Sequence, residues 1–330
     1  GVTGLSEKPG YKKPTMLHNA LSGATKILYC IGDNPVQTDP HMANTIKEIE
    51  ALEFFICVDI FPNLTTPYAD VILPDCAWGE ADGTFTNTER RVQRIRKVLE
   101  PPGDVRPHWW FLQELAKRIN GYDLGFTSAE AVFEDMRRAS TSYAGITYER
   151  IEDIGLQWPC PTLEHPGTPL LHTSGNFTRG RGLFHHTVHI PPAEMPDAEY
   201  PFYLSTGRRL WHYHSATQTR NSVGLEELFP EELMEISPVD AERLGIKTGD
   251  VIKATSRRGE ITLKAWVTDR SASGVCWCAF HFVEACANTL TIDRFDPVTE
   301  TAEYKVCAIK IEKVADGVEP VSWAPRQARP

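Results

Sequence analysis

The 330-residue sequence has no apolar run long enough to cross a membrane; its longest, EFFICVDIF and GVCWCAFHF, are strand-sized. Its opening, GVTGLSEKPGYKKP, lacks the apolar core of a secretory signal. None of the eight cysteines (Cys30, Cys57, Cys76, Cys160, Cys276, Cys278, Cys286 and Cys307) stands in a CxxC pair. No spacing supports an iron–sulfur cluster within the chain, and the apolar surroundings favour reduced core thiols over disulfides. Cys276 and Cys278 would share one face of a strand, which gives little support to a metal or a disulfide. A GxGxxG loop is missing, which argues against an ordinary NAD fold. Together these absences predict a cytoplasmic protein with no membrane segment.

Positive charge is also scarce. There are 34 Lys and Arg against 44 Asp and Glu, a formal net charge of -10. A nucleic-acid binder needs a continuous basic surface to neutralise phosphates. One stretch runs the other way: DGTFTNTERRVQRIRK, residues 82–97, holds Arg90, Arg91, Arg94, Arg96 and Lys97. Nucleic acid, an anionic cofactor and a solvated surface are the candidate explanations. Glu80, Asp82, Glu89 and Glu100 bracket the cluster, so the sequence predicts no nucleic-acid partner.

The chain reads as an α/β segment followed by a β-rich one. Residues 1–22 suggest a loop and a short helix. TKILYCIGDNP reads as a buried parallel strand, and DPHMANTIKEIEAL as a helix capped by Thr38 or Asp39, with Met42, Ile46, Ile49 and Leu52 on its apolar face. FFICVDIF reads as a second buried strand ending at Asp59 and ADVILP as a third ending at Pro74, which makes a βαβ unit. A helix over RPHWWFLQELAKRI and a helical region over 120–155 follow. Residues 156–200, rich in Pro, Gly and His, form a long connection with short strands. Residues 201–315 predict a barrel from EYPFYLSTG, GDVIKATSRRGEITLKAWVTD, SGVCWCAFHF and YKVCAIKIEKV, with a hairpin turn at Gly259. Residues 316–330 read as a frayed tail.

Three constellations can carry chemistry. Asn34 and Thr38 follow the first strand, Asp59 ends the second and Asp75 follows the third. Ligands of open α/β sheets lie beyond such strand ends, where helix-start amides hold phosphate and carboxylates accept from ribose or guanine. Asp and Asn also end strands because they favour turns, and both readings stand. STGRRLWHYHSATQTRNS places Arg208, Arg209, His212, Tyr213, His214 and Arg220 on one loop, a donor density that favours an anionic ligand over a plain surface loop. His185, His186 and His189 in FHHTVHI read as exposed residues of an edge strand rather than metal ligands.

Six blocks occur in order: YCIGDNPVQTDP, VDIFPNLTTPYADVILPDCAWGEADGTFTNTERRVQRIRKVLEPPG, STGRRLWHYHSATQTRNS, ISPVDAERLGIKTGDVI, FHFVEACANTLT and DPVTETAEYKVCAIKIE. They resemble successive blocks of the molybdopterin oxidoreductases from about residue 15 to 313, and more narrowly the catalytic subunit of formate dehydrogenase. The resemblance implies two molybdopterin guanine dinucleotides holding molybdenum or tungsten, and interconversion of formate and CO2. It implies an α/β dinucleotide-binding part over 1–155 and a double-psi β-barrel, with SPVDAERLGIKTGDVI as the barrel signature. By matching position, cofactor contacts fall on Asn34, Thr38, Asp59, Asp75, Arg208, Arg209, Leu210, His212, Tyr213, His214, Phe280, Asn288, Tyr304 and Lys305. His108 departs from the pattern, standing where a relative has a carboxylate. The basic stretch is then a family block near the cofactor, with Arg90 and Arg91 organising a loop beneath the dinucleotide. Arg94, Arg96 and Lys97 are expected on a solvated strand or paired with the acids.

The same resemblance implies what this chain does not carry. The family's [4Fe–4S] cysteines, its metal-ligating Cys or selenocysteine with adjacent His, and its active-site Arg match nothing here. The chain thus corresponds to the C-terminal half of a catalytic subunit, with no catalytic or metal-ligating residue of its own. Its expected partners are the N-terminal part, as a separate chain or one removed, and iron–sulfur, flavin or hydrogenase electron-transfer subunits. Two rival readings are another family enzyme, such as an assimilatory nitrate reductase, and a non-catalytic structural remnant of the fold.

Overall fold

The computed structural model describes residue 6 and residues 8–317, so the tail expected to fray lies almost wholly outside the described residues. The fold has two compact units: Gly10–Ile72 with the chain from His189 onward, and Leu73–Val188.

In the first unit a short helix α1 (Lys13–His18) leads to strand β1 (Ile27–Ile31), helices α2 (Pro35–Thr38) and α3 (Met42–Glu50), strand β2 (Phe54–Asp59) and strand β3 (Val71–Pro74). The sheet order is β1-β2-β3, with β1 parallel to β2. Leu28 and Cys30 of β1 and Phe55 and Cys57 of β2 pack with Leu17, Met42, Ile46, Ile49 and Leu52, so the predicted apolar face of the helix is the packed one. Two expectations need correction. The first strand is not buried on both faces: Ile27 is 62% and Ile31 47% exposed, because β1 is an edge strand covered on one side. Nor do Thr38 and Asp39 cap α3, which starts from His41 at φ 55°. Thr38 ends α2 instead, and Asp39 is extended, the conformation favoured before Pro40.

In the second unit β4 (Gly83–Thr86) and β5 (Arg91–Ile95) form an antiparallel hairpin to which β6 (Leu156–Gln157) adds. Helices α4 (His108–Asn120) and α5 (Ala129–Ala139) follow the hairpin. Ser128 caps α5 by accepting from the Ala131 N–H. Beyond the end of α4, the rest of 120–155 is irregular apart from a 3-10 turn at Glu149–Ile151, so the α-helical reading holds only for α5. Val92, Phe133, Ile146, Tyr148, Ile151 and Cys160 form this unit's core. The stretch FHHTVHI is irregular rather than a strand: its β-favouring Thr187, Val188 and Ile190 pair with no neighbour, and β-propensity alone does not make a ladder.

Back in the first unit, β7 (Phe202–Gly207), α6 (Val223–Leu228), β8 (Leu233–Ile236), α7 (Pro238–Leu244), β9 (Val251–Thr255), β10 (Glu260–Val267), β11 (Val275–Ala279) and β12 (Cys307–Ala315) complete the chain. The six strands close into a barrel in the order β10-β8-β11-β7-β12-β9. The hairpin predicted at Gly259 joins β9 and β10, with Thr255 opposite Glu260. Ser237 caps α7 and Gly245 ends it at φ 65°, where a side chain would be strained. Phe202, Leu204, Met234, Ile236, Ile252, Leu263, Cys276, Cys278 and Ile309 fill the core. All eight cysteines are free thiols and seven are buried, so Cys276 and Cys278 serve as packing. Among the described residues no helix is long and apolar enough to cross a membrane.

Candidate functional site

Strand β7 delivers the chain to the loop that the sequence singled out. This loop has no strand or α-helix of its own before α6, and His214 (φ 49°) and Ala216 (φ 58°) hold left-handed backbone. Such conformations persist only where surroundings impose them.

Its outward side is a rim of donors. Arg208, Leu210 and Tyr213 are exposed, and the Arg208 guanidinium lies 5.3 Å from the centre of the Phe280 ring. The His214 ring meets Phe280 edge-on at 5.6 Å, and burial lowers its pKa. Lys305 donates to the Thr206 carbonyl, and its pKa falls through burial and the nearby Arg208 charge. Tyr304 accepts through its carbonyl from Thr206 Oγ1 at 2.8 Å, while burial raises its phenol pKa.

Its inward side is tied into the protein by hydrogen bonds, although Arg209 Nε and Glu232 Oε2 are buried without a partner. Arg209 is buried and donates to Glu235 at 2.6 Å, to Glu232 at 3.1 Å and to the Leu233 carbonyl at 2.8 Å. Its guanidinium also lies 4.2 Å from the Trp277 ring. His212 bonds the Phe229 carbonyl through Nε2 at 2.7 Å and Thr219 Oγ1 through Nδ1 at 3.2 Å. Asn288, 1% exposed, donates to the Gln37 carbonyl at 2.8 Å and accepts from Thr291 at 3.0 Å.

The strand ends are similarly engaged. Asn34 accepts from Thr65 Oγ1 and donates to Gln37 Oε1, both at 2.8 Å. Thr38 Oγ1 donates back to the Asn34 carbonyl at 3.0 Å. Asp59 accepts from the Ile60 N–H at 2.7 Å and from Asn63 Nδ2 at 2.9 Å. Asp75 belongs to the other unit, where it accepts from the Cys76 N–H at 2.8 Å, lies 3.6 Å from His108, and has its pKa raised by burial. The basic hairpin is answered within that unit: Arg90 donates to the carbonyls of Trp158, Thr168 and Pro169, and Arg91 to Glu89.

Sequence reasoning missed two residues. Gln37 is 1% exposed and donates to the carbonyls of Ser215, Phe280 and His281. His281 is fully buried between Arg209 and His214, and burial pushes its pKa down to about 4. His281 stands out in sequence as a polar residue set into the apolar stretch AFHFV, whereas Gln37 in DNPVQTDP carries no such signal. Among the described residues no group of three His, Cys, Asp or Glu could hold a metal, and His185, His186 and His189 are exposed. The arrangement is suited to binding: two cations and two aromatic donors face outward and fit a phosphate-bearing ligand.

Comparison with known proteins agrees. Residues 3–118 match the family described as molybdopterin oxidoreductase, and residues 202–308 match the molydopterin dinucleotide binding domain. The chain is 42% identical over 313 residues to F420-dependent formate dehydrogenase 2 subunit alpha of Methanococcus maripaludis, covering 94% of this chain and 46% of that one. It is 42% identical over 314 residues to F420-dependent formate dehydrogenase subunit alpha of Methanocaldococcus jannaschii, with the same coverage. Nitrate reductase of Symbiobacterium thermophilum is 38% identical over 335 residues, covering 94% of this chain and 44% of its own. The chain thus spans about half the length of the curated relatives it matches. Acetylene hydratase from Pelobacter acetylenicus shares the fold with a TM-score of 0.68 at 17% identity, over 91% of this chain and 46% of that one. From its sequence matches and its parallel sheet and closed barrel, the chain belongs to the molybdopterin oxidoreductase family.

Proposed function

We propose that this chain is the cofactor-binding C-terminal part of a molybdenum- or tungsten-dependent formate dehydrogenase. It shares two molybdopterin guanine dinucleotides with an N-terminal part that supplies the metal's protein ligand and a [4Fe–4S] cluster. The observation that carries this reading is the 42% identity, across 94% of the chain, to alpha subunits named as formate dehydrogenases. The nitrate reductase match is lower, at 38%. The donor-rich rim also speaks against an empty structural remnant, since Arg208 and Lys305 repel each other unless an anion lies between them.

On this reading Arg208 and Lys305 hold phosphate, and Leu210, Tyr213, His214, Phe280 and Tyr304 border the pterin. Thr38 and Asp59, and in the other unit Asp75, are of the chemistry that accepts from hydroxyl or guanine donors. Asn34, Arg209, His212 and Asn288 shape the site from beneath, and Arg90 and Arg91 order a loop under the dinucleotide. The bound metallopterin would supply the two-electron acceptor for formate oxidation. This chain's residues bind and orient it.

The segments follow the same reading: residues 1–155 bind dinucleotide, 156–200 connect, and 201–315 form a barrel of double-psi topology. The N-terminal part would cover the sheet face that leaves Ile27, Ile31 and Phe54 exposed. The subunit designation of the relatives supports partner subunits, for which we propose iron–sulfur, flavin or hydrogenase electron-transfer subunits, and the eight free thiols support a cytoplasmic setting.

The test is metal and pterin analysis of the assembled enzyme, with dye-reduction assays on formate and nitrate. We expect molybdenum or tungsten, guanine-bearing pterin and formate turnover, with pterin content falling at least tenfold in an Arg208→Ala, Lys305→Ala double variant. Absence of pterin, or turnover of nitrate alone, overturns the proposal.

A further inference from the structure

Residues 208–215 carry the rim's donors without a helix or strand to hold them. Two buried side chains do that work. His281 spans the loop: Nε2 accepts from the Arg209 backbone N–H at 2.8 Å, and Nδ1–H donates to the His214 carbonyl. These roles fix a single neutral tautomer, because a protonated ring would set N–H against N–H. With the pKa near 4, that neutral form persists at ordinary pH.

Gln37 supplies the second tie. Its amide donates to the carbonyls of Ser215 at 3.0 Å, Phe280 at 3.0 Å and His281 at 2.9 Å. Its Oε1 accepts from Asn34 at 2.8 Å, and its backbone carbonyl from Asn288 at 2.8 Å. One side chain thereby joins the turn after β1 to the loop after β7 and to the segment bearing His281.

We infer that His281, seated by Gln37, is the positioning residue that sets where Arg208, Tyr213 and His214 stand, and so how firmly the rim grips an anionic ligand. The identity of that ligand rests on the dinucleotide reading above; the clamp does not. If His281 merely filled space, an apolar ring of similar size would serve. If it positions the loop, an acceptor for Arg209 and a donor for His214 are required. Gln at 281 can place its amide oxygen where Nε2 lies, and Asn its amide nitrogen where Nδ1 lies.

The experiment compares His281→Phe, His281→Gln and Gln37→Leu in the assembled enzyme. It reads amide hydrogen exchange of residues 208–216 and the dinucleotide retained after gel filtration. His281→Phe is expected to speed loop exchange about tenfold or more and to lose most of the dinucleotide. His281→Gln should recover protection at Arg209 and much of the retention. Gln37→Leu should act as the Phe variant does, to a smaller extent, and decides the matter if that variant does not fold. Exchange at the wild-type rate overturns the inference. So does a loosened loop with full retention, or a Gln variant no better than Phe. Wild-type enzyme that holds no dinucleotide sinks the ligand reading instead, and the clamp then stands or falls on exchange alone.

Discussion

Two basic stretches, RRVQRIRK in the hairpin and GRRLWHYH after β7, look alike in composition and behave differently in the fold. In the hairpin every cation meets a partner within its own unit: Arg90 meets three backbone carbonyls, Arg91 meets Glu89 at 2.7 Å, Arg94 and Arg96 meet Glu152 at 3.2 and 2.6 Å, and Lys97 meets Glu100 at 2.5 Å. After β7 two adjacent arginines part ways. Arg208 is exposed, and Arg209, 7% exposed, sinks between Glu232 and Glu235. The residues buried in β7 are Phe202, Leu204 and Thr206, so strict alternation would have buried Arg208. The phase slips by one residue past Gly207. Charge density in a sequence therefore reports how many partners are needed, and only the fold reports whether they are solvent, carboxylate or ligand.

The sharpest way to break this comparison is Arg209→Ala. It leaves Glu232 and Glu235 buried with their shared partner gone, which should cost roughly 3–5 kcal/mol by chemical denaturation. Arg208→Ala should leave stability nearly unchanged while weakening the ligand. If the two variants were equally stable, the division of the loop into an inner and an outer side would be wrong. The next effect is on pH dependence. The unfolded His281 ring binds a proton below about pH 6.5, whereas the folded one, neutral through burial, does so only near 4. Stability is thus lost as pH falls through this window, by up to about 1.4 kcal/mol per pH unit. The difference between wild type and His281→Gln isolates that slope from the carboxylates, and parallel profiles would count against the buried neutral imidazole.

Much of the architecture was legible. The apolar runs at 54–59 and 71–74, the face of Met42, Ile46, Ile49 and Leu52, and the Gly245 and Gly259 turns each rest on local pattern, and the structure keeps them. What failed depended on neighbours. Strand β1 reads as fully buried because Ile27 and Ile31 are apolar, but burial is set by what covers the second face. Strand β8 went unread because Glu235 interrupts LMEI; the glutamate is buried there against Arg209 at 2.6 Å, with Arg270 at 3.5 Å. Likewise, the donors of the GRRLWHYH loop were visible in sequence, whereas the residues holding them, Gln37 and His281, lie 178 and 67 positions from the loop carbonyls they bond. No local pattern can announce such a contact.

Smaller effects refine the contrast. At Gly207 an added Cβ would lie 2.4 Å from Trp277 Cζ2, in the ring that packs on Arg209. Gly207→Ala should cost about 1–3 kcal/mol and shift the Trp277 fluorescence, because a rigid indole beneath a buried guanidinium has little room to yield. The smallest effect belongs to the hairpin. Arg96 holds the Glu152 carboxyl below its ordinary pKa through a hydrogen bond, yet Glu152 is solvent-exposed and salt screens the pair. Glu152→Gln should therefore leave the denaturation midpoint unchanged at physiological salt. A loss approaching that of Arg209→Ala would mean that the hairpin's charges bear on folding as much as the barrel's do, and the difference between the two basic stretches would disappear.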